Sequence, residues 1–88
     1  MKIKSTFVLR NLAGNNVVLP VGASSEAFSG MMTLNETGVF LWDVLKKEVT
    51  MDELVNALLS EYNVGAAQAK EDAEAFVQTL RNAGVLDE

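Results

Sequence analysis

The side chains that most often do chemistry in proteins are missing from this sequence. Its 88 residues include no cysteine and no histidine, which excludes thiol nucleophiles, thiolate and imidazole metal ligands and a histidine base. Carboxylates and lysines remain, but no two carboxylates stand out from an otherwise solvated set. Ser24 and Ser25 have no base to activate them. We therefore expect no catalytic residue, no metal site and no cofactor.

The charge of the chain argues against nucleic acid as a partner. Seven Lys and Arg stand against twelve Asp and Glu, a formal net charge of −5. That sign repels the phosphate backbone, whose neutralisation supplies most non-specific affinity for nucleic acids. No apolar run is long enough for a signal peptide or for the roughly 20 residues of a membrane span. We expect a cytoplasmic protein with neither nucleic acid nor a membrane as its partner.

Binding chemistry is offered instead by the backbone of a predicted sheet. Apolar and β-branched residues over 6–12 and 17–21, separated by turn formers, predict a hairpin, and Met31 to Leu34 predict a short third strand. An edge strand carries free N–H and C=O groups that can pair with a strand from another chain, either a peptide or a second copy in a homodimer. The alternative is that loop 22–30 or a neighbouring subunit covers this edge. If the edge is free, Met32→Pro is predicted to remove one of its donors.

Residue spacing within the predicted elements indicates which side chains share a face. Phe7 and Leu9 share one face of the first strand, and the alternation of the second strand places Val17, Leu19 and Val21 together. Downstream, apolar residues at spacings of three and four predict a helix that starts at the cap residue Asn35. Its inward face comprises Leu34, Gly38, Leu41, Trp42 and Leu45.

Two further helices follow. Thr50 and Glu53 match a capping box and predict a helix over about 51–62. The third helix is expected over about 66–83, where Gly84 stops it, with Ala69, Ala73, Phe76, Val77 and Leu80 inward. Ala73 is small among larger neighbours, which fits either close helix packing or a shallow groove floor. The order is β-β-β-α-α-α: one α+β domain over 1–88, winged helix-turn-helix-like, with a three-stranded antiparallel sheet followed by three helices.

Winged-helix domains usually read DNA with the third helix. Here that helix carries three acidic residues and two basic ones, Glu71, Asp72 and Glu74 against Lys70 and Arg81. Its net negative charge is the wrong sign for binding DNA. A DNA-binding transcription regulator is therefore the alternative rather than the first hypothesis.

The ordered set of motifs from the third strand to the end resembles the coenzyme PQQ synthesis protein D (PqqD) family. These proteins are stand-alone recognition elements for ribosomally made, post-translationally modified peptides. The resemblance covers about residues 31–86. It rests on Leu34, Asn35, Glu36, Thr37, Gly38, Leu41, Trp42, Leu45, Thr50, Glu53, Leu54, Leu58, Glu61, Tyr62, Asp72, Phe76, Leu80, Gly84, Val85 and Leu86.

This resemblance implies a non-enzymatic chaperone. Such a protein binds the leader segment of a precursor peptide and presents it to a modifying enzyme, often a radical-SAM enzyme. The leader is expected to add as a strand beside the third strand, Met31, Met32, Thr33 and Leu34, and to lie along the third helix.

The contacts from the third helix are inferred from helix geometry, and the resemblance does not name them. Ala73 and Val77 are either a groove wall or plain core. Lys70 and Arg81 either pair with acidic leader residues or lie on a solvated face.

Overall fold

The computed structural model describes residues 1–21 and 32–87. The predictions made for Met31, for Ser24 and Ser25, and for a covering role of loop 22–30 lie outside the described residues. The described elements are β1 (Lys2–Ile3), β2 (Phe7–Leu12), β3 (Asn15–Pro20), β4 (Met32–Leu34), α1 (Glu36–Val44), α2 (Met51–Glu61), α3 (Ala66–Asn82) and β5 (Leu86–Asp87).

The sheet and the helices confirm the predicted α+β order. Strands β2, β3 and β4 form a three-stranded antiparallel sheet in chain order, and the three helices follow it. A two-residue turn joins β2 to β3, with positive φ at both Ala13 (52°) and Gly14 (87°). Such a turn matches the right-handed twist of its strands. It sets a register in which Leu9 lies opposite Val18, and Val18 lies opposite Met32.

The face of β3 that packs on the helices is the one that carries Val18. Val18 is fully buried in the main core cluster, together with the half-buried Leu9 and Met32. Val17 therefore points to the opposite face of the sheet, along with Leu19 and Val21. The run from 17 to 19 is apolar in both alternation phases, so its pattern could not select the inward face.

A second, two-stranded sheet was not expected from the sequence. Strand β1 pairs antiparallel with β5, and Ile3 lies opposite Leu86. The Ile3 amide also donates to the Leu45 carbonyl at 2.8 Å, and the Lys4 amide donates to the Val85 carbonyl at 2.9 Å. These bonds tie the first strand to the end of α1 and to the segment after α3. Strands of two residues are too short to show an alternating pattern.

The predicted helix ends are confirmed by their caps. The Gly38 amide donates to the Asn35 side chain at 2.8 Å, and Thr50 and Glu53 form both bonds of the capping box. Gly84, which follows the C-cap residue Ala83 of α3, has a φ of 75°, a conformation that costs glycine little. The helices and the inward face of the sheet enclose one core. Its fully buried large side chains include Leu41, Leu45, Leu54, Leu80, Val18, Val77 and Val85.

Removing the Thr50 cap should destabilise the protein without altering its shape. Thr50→Ala leaves the Glu53 amide without its side-chain acceptor, and we expect the free energy of unfolding to fall by about 1 kcal/mol. Urea unfolding followed by circular dichroism measures the change. Ser60→Ala, which removes an exposed hydroxyl from the last turn of α2, is the control and should shift stability by less than about 0.5 kcal/mol. Equal shifts for both variants would contradict the capping role.

Within residues 1–21 and 32–87, no helix is long and apolar enough to cross a membrane.

Candidate functional site

The outer edge of β4 is set by hydrogen-bond alternation that starts at the β2–β3 turn. Across a two-residue turn the flanking residues, Leu12 and Asn15, form a hydrogen-bonded pair. Bonded and non-bonded pairs then alternate along the ladder, so the amides and carbonyls of Asn16 and Val18 point toward β4. The Val21 amide donates to the Thr6 carbonyl at 2.8 Å, on the β2 side of the strand, as this alternation requires.

Thr33 is therefore the residue of β4 whose backbone faces outward. Its neighbours Met32 and Leu34 lie opposite Val18 and Asn16, so their N–H and C=O groups bond to β3. No residue in the described part of the chain pairs with the outer side of Thr33, and its side chain is exposed. One residue supplies both a donor and an acceptor at this edge.

The prediction that Met32 carries an edge donor is wrong in this register. The Met32 amide points inward to β3, and its half-buried side chain packs against the core cluster. Met32→Pro would thus disrupt the sheet itself, whereas Thr33→Pro would alter the free edge.

A cleft continues from the end of this edge. It has a volume of about 290 Å³ and lies between the start of α1 and one flank of α3. Asn35 connects the two features, because it follows β4 directly, caps α1 and lines the cleft. The lining residues are Asn35, Thr37, Gly38, Leu41, Asp72, Ala75, Phe76 and Thr79.

The charge of the cleft is acidic. Asp72 is the charged residue of its lining, and the Gln68 side-chain amide donates to the Asp72 carboxylate at 2.8 Å. Neither lysine nor arginine contributes to the described lining. A ligand group placed beside Asp72 is therefore favoured if it is basic or neutral. The part of the chain that the structure describes contains no group of three or more acidic residues that could hold a metal ion.

Comparison with known proteins assigns the family. The model of coenzyme PQQ synthesis protein D matches residues 6–86. The chain belongs to the PqqD family. No curated protein matches the sequence significantly.

Two solved structures share the fold of this PqqD-family chain. The first is TbiB1 in complex with the TbiA(beta) leader peptide, at 24% identity and a TM-score of 0.76, covering 99% of this chain and 95% of that one. The second is lasso peptide synthetase B1 complexed with the leader peptide, at 23% identity and a TM-score of 0.72, covering 96% and 93%. The correspondence extends over nearly the whole length of each chain.

The PqqD-family chain places two predicted helix residues in its core. Ala73 and Val77 have 0% and 1% of their surface exposed. Of the two interpretations that the sequence left open for them, burial favours core packing over a groove wall. The surface that faces the cleft is formed instead by Ala75, Phe76 and Thr79.

The two predicted basic contacts lie on another side of α3. Lys70 and Arg81 are exposed, and at 3.6 residues per turn they lie roughly 120–180° around the helix from the cleft residues. The Arg81 guanidinium donates to the Gln78 side chain at 3.4 Å. The structure therefore does not bring Lys70 and Arg81 to the cleft.

The cleft residues of α3 share a regular helical spacing, but that spacing does not show that they line a cleft. Asp72, Ala75, Phe76 and Thr79 recur at intervals of three and four beside the inward stripe. Spacing predicts Phe76 inward, Asp72 belongs to the motifs that resemble the PqqD family, and Ala75 and Thr79 carry no prediction from sequence. Which flank of α3 faces β4 depends on how the helix packs, and no local pattern indicates it.

Gly38 allows α1 and α3 to approach closely beside β4. A Cβ atom on Gly38 would lie 3.2 Å from the Leu34 Cβ, 3.3 Å from the Asn35 Oδ1 and 3.3 Å from the Phe76 Cε1. The first two atoms are held by the strand and by the helix cap, so the Phe76 ring is the neighbour that can move. The ring would move within the cleft that it lines.

Gly38→Ala should therefore affect both stability and the cleft. Overpacking of about 1–3 kcal/mol exceeds the gain of about 1 kcal/mol in helix propensity, and we expect a net loss of about 1 kcal/mol in the free energy of unfolding. Urea unfolding measures it. Gly65→Ala is the matched control, because a Cβ there meets nothing within 4 Å. A more stable Gly38→Ala protein would show that the cleft wall is not tightly packed.

Proposed function

We propose that this protein binds the leader segment of a ribosomally synthesised precursor peptide by strand addition at β4 and presents it to a modifying enzyme. The observation that carries the proposal is the outward-facing backbone of Thr33, two residues before Asn35, which lines the cleft between α1 and α3. Membership of the PqqD family supports it. So do the two similar folds, each of which was solved with a leader peptide bound.

Backbone pairing at Thr33 alone is too weak for this role. The donor and acceptor of Thr33 would contribute about 1–3 kcal/mol at roughly 0.5–1.5 kcal/mol for each bond, whereas a micromolar complex needs about 8 kcal/mol. The remainder must come from guest side chains in the cleft, where Phe76 and Ala75 supply apolar surface and Asp72 a charge. We propose that the edge sets the direction of the leader and that the cleft sets its affinity and selectivity.

The leader contacts follow from this geometry. Thr33 pairs with the guest backbone, and Met32 and Leu34 hold the edge strand on the core. We propose an apolar leader residue over Phe76 and a basic or neutral one beside Asp72. Lys70 and Arg81 have no part in this site.

We propose a non-catalytic role for the chain, with residues 1–88 acting as a single recognition domain in the cytoplasm. The reaction would belong to the partner enzyme, for which the family resemblance suggests a radical-SAM enzyme. A DNA-binding regulator is not supported, because the exposed charges of α3 are Glu71, Asp72 and Glu74 against Lys70 and Arg81.

Titration with precursor peptides encoded beside the gene tests this proposal. We expect micromolar binding by calorimetry, with the largest backbone amide shifts at Thr33, Asn35 and Phe76. The control is the same leader with its residues in scrambled order, which keeps composition and charge. If no neighbouring precursor binds, or if the shifts avoid both β4 and the cleft, the proposal is wrong.

A second copy of the chain is the competing occupant of the β4 edge. We propose that any homodimer formed through this edge is displaced by the leader, because the two would pair with the same backbone groups. Analytical ultracentrifugation with and without peptide measures the competition. A dimer that persists at saturating leader would place the dimer interface elsewhere.

A further inference from the structure

Basic side chains are concentrated around β2, the opposite edge of the three-stranded sheet from β4. Lys2, Lys4, Arg10 and Lys46 line a concave surface of about 370 Å³ there, and they are four of the seven Lys and Arg residues of the chain. Asp87 is the acidic residue of the described lining. We call these four cations and the β2 edge beside them the β2 basic surface. Its sign is opposite to that of the whole chain and to that of the cleft.

These cations have few partners within the protein. Alternation along β1 buries Ile3 and exposes Lys2 and Lys4, neither of which forms an ion pair with a residue that the structure describes. Lys46 pairs with Asp43 at 3.4 Å, but both side chains are largely exposed, and such pairs contribute little.

The backbone beside these cations is also available for pairing. The ladder bonds of β2 to β3 use Val8, Arg10 and Leu12, so the N–H and C=O groups of Leu9 and Asn11 face outward. The Arg10 guanidinium donates to the Leu9 carbonyl at 3.3 Å, and a carbonyl oxygen can accept a second bond. No described strand pairs with this side of β2.

We infer that the β2 basic surface docks an extended acidic segment of a partner protein, which adds as a strand to β2 while its carboxylates face Lys2, Lys4 and Lys46. The combination of these cations with outward-facing backbone groups selects the class of partner. Nucleic acid and anionic lipid would satisfy the cations but cannot extend a β-ladder, whereas a neutral strand would satisfy the ladder but not the cations. Since β3 separates β2 from β4, the partner and the leader could bind at the same time. This inference goes beyond the proposed leader binding and does not depend on it.

The test uses the full chain and an octapeptide of alternating glutamate and valine, with both ends blocked, titrated at near-physiological salt and followed by amide shifts. We expect saturable shifts at Leu9 and Asn11 with Thr33 unchanged. The same peptide N-methylated at every internal residue, which removes the ladder donors whichever residues face β2, should bind at least about tenfold more weakly. A lysine–valine octapeptide should not bind.

A matched pair of variants separates the surface from net charge. The double variant Lys2→Glu/Lys4→Glu should bind the acidic peptide about tenfold or more weakly than the original protein does. Lys47→Glu/Lys70→Glu makes the same change in net charge at exposed positions outside the surface and should change affinity by less than about threefold. Equal losses in the two variants would overturn the inference. So would unaltered affinity of the N-methylated peptide, shifts confined to β4, or tighter binding of a short DNA duplex than of the peptide.

Discussion

Replacing Thr33 with proline is expected to weaken leader binding by about tenfold or more, while the sheet and helices stay intact. The Thr33 amide faces away from β3, so proline removes a donor to the guest strand and none from the protein's own ladder. Proline is tolerated at a sheet edge when its missing N–H faces solvent. The loss of one ladder bond and the bulk of the ring against the incoming strand together account for the effect. Calorimetry with the cognate leader measures it.

Two controls make this result specific. Thr33→Val retains the N–H and the β-branched shape, and should bind the leader within about twofold of the original protein. Met32→Pro, one residue earlier, removes an amide that faces Val18 and should instead reduce the free energy of unfolding. The ladder register proposed for β4 would be wrong if Met32→Pro weakened leader binding without loss of stability while Thr33→Pro left leader binding unchanged.

Enlarging Ala73 is expected to destabilise the fold rather than to block the cleft. The side chain is fully buried in the cluster that includes Leu54, Leu58 and Leu80. Ala73→Leu inserts extra carbon atoms into a filled interior, and we expect the free energy of unfolding to fall by about 1–3 kcal/mol. Total stability for a chain of 88 residues is about 4–13 kcal/mol, so the loss is readily measured by urea unfolding.

Ala75→Leu is the matched control for Ala73→Leu. It makes the same substitution two residues later on the same helix, at an exposed position that lines the cleft. Its stability should change by less than about 0.5 kcal/mol, but its affinity for the leader should change because the cleft is narrowed or extended. The reverse pattern, in which Ala73→Leu is stable and fails to bind, would restore Ala73 as a groove floor.

Together these predictions distinguish three surfaces of one small protein. They are the β4 edge, which is the proposed site for the leader backbone, the cleft proposed to hold leader side chains, and the β2 basic surface across the sheet. The variants at Thr33, at Ala75 and at Lys2 with Lys4 lie at exposed or edge positions, so at each surface loss of binding can be separated from loss of folding.

The sequence by itself determined the features that depend on neighbouring residues. Asn35, Thr50 and Gly84 mark helix ends through bonds or backbone angles within a few positions, and the three-and-four spacing of α3 identifies its inward stripe. The order of short sequence motifs likewise indicated an edge strand before α1 and a resemblance to the PqqD family.

Only the tertiary structure decided which backbone groups and side chains face outward at the β4 edge and the cleft. The apolar run of β3 fits either alternation phase, so pairing with β2 was needed to turn Val18 inward and the Thr33 backbone outward. The packing of α3 placed Phe76 and Thr79 in the cleft beside the start of α1 and left Lys70 and Arg81 on another flank. Pairing of the two terminal strands was likewise undetectable in two-residue segments. Strand register and helix orientation are set by contacts between residues far apart in the chain, which no local spacing encodes.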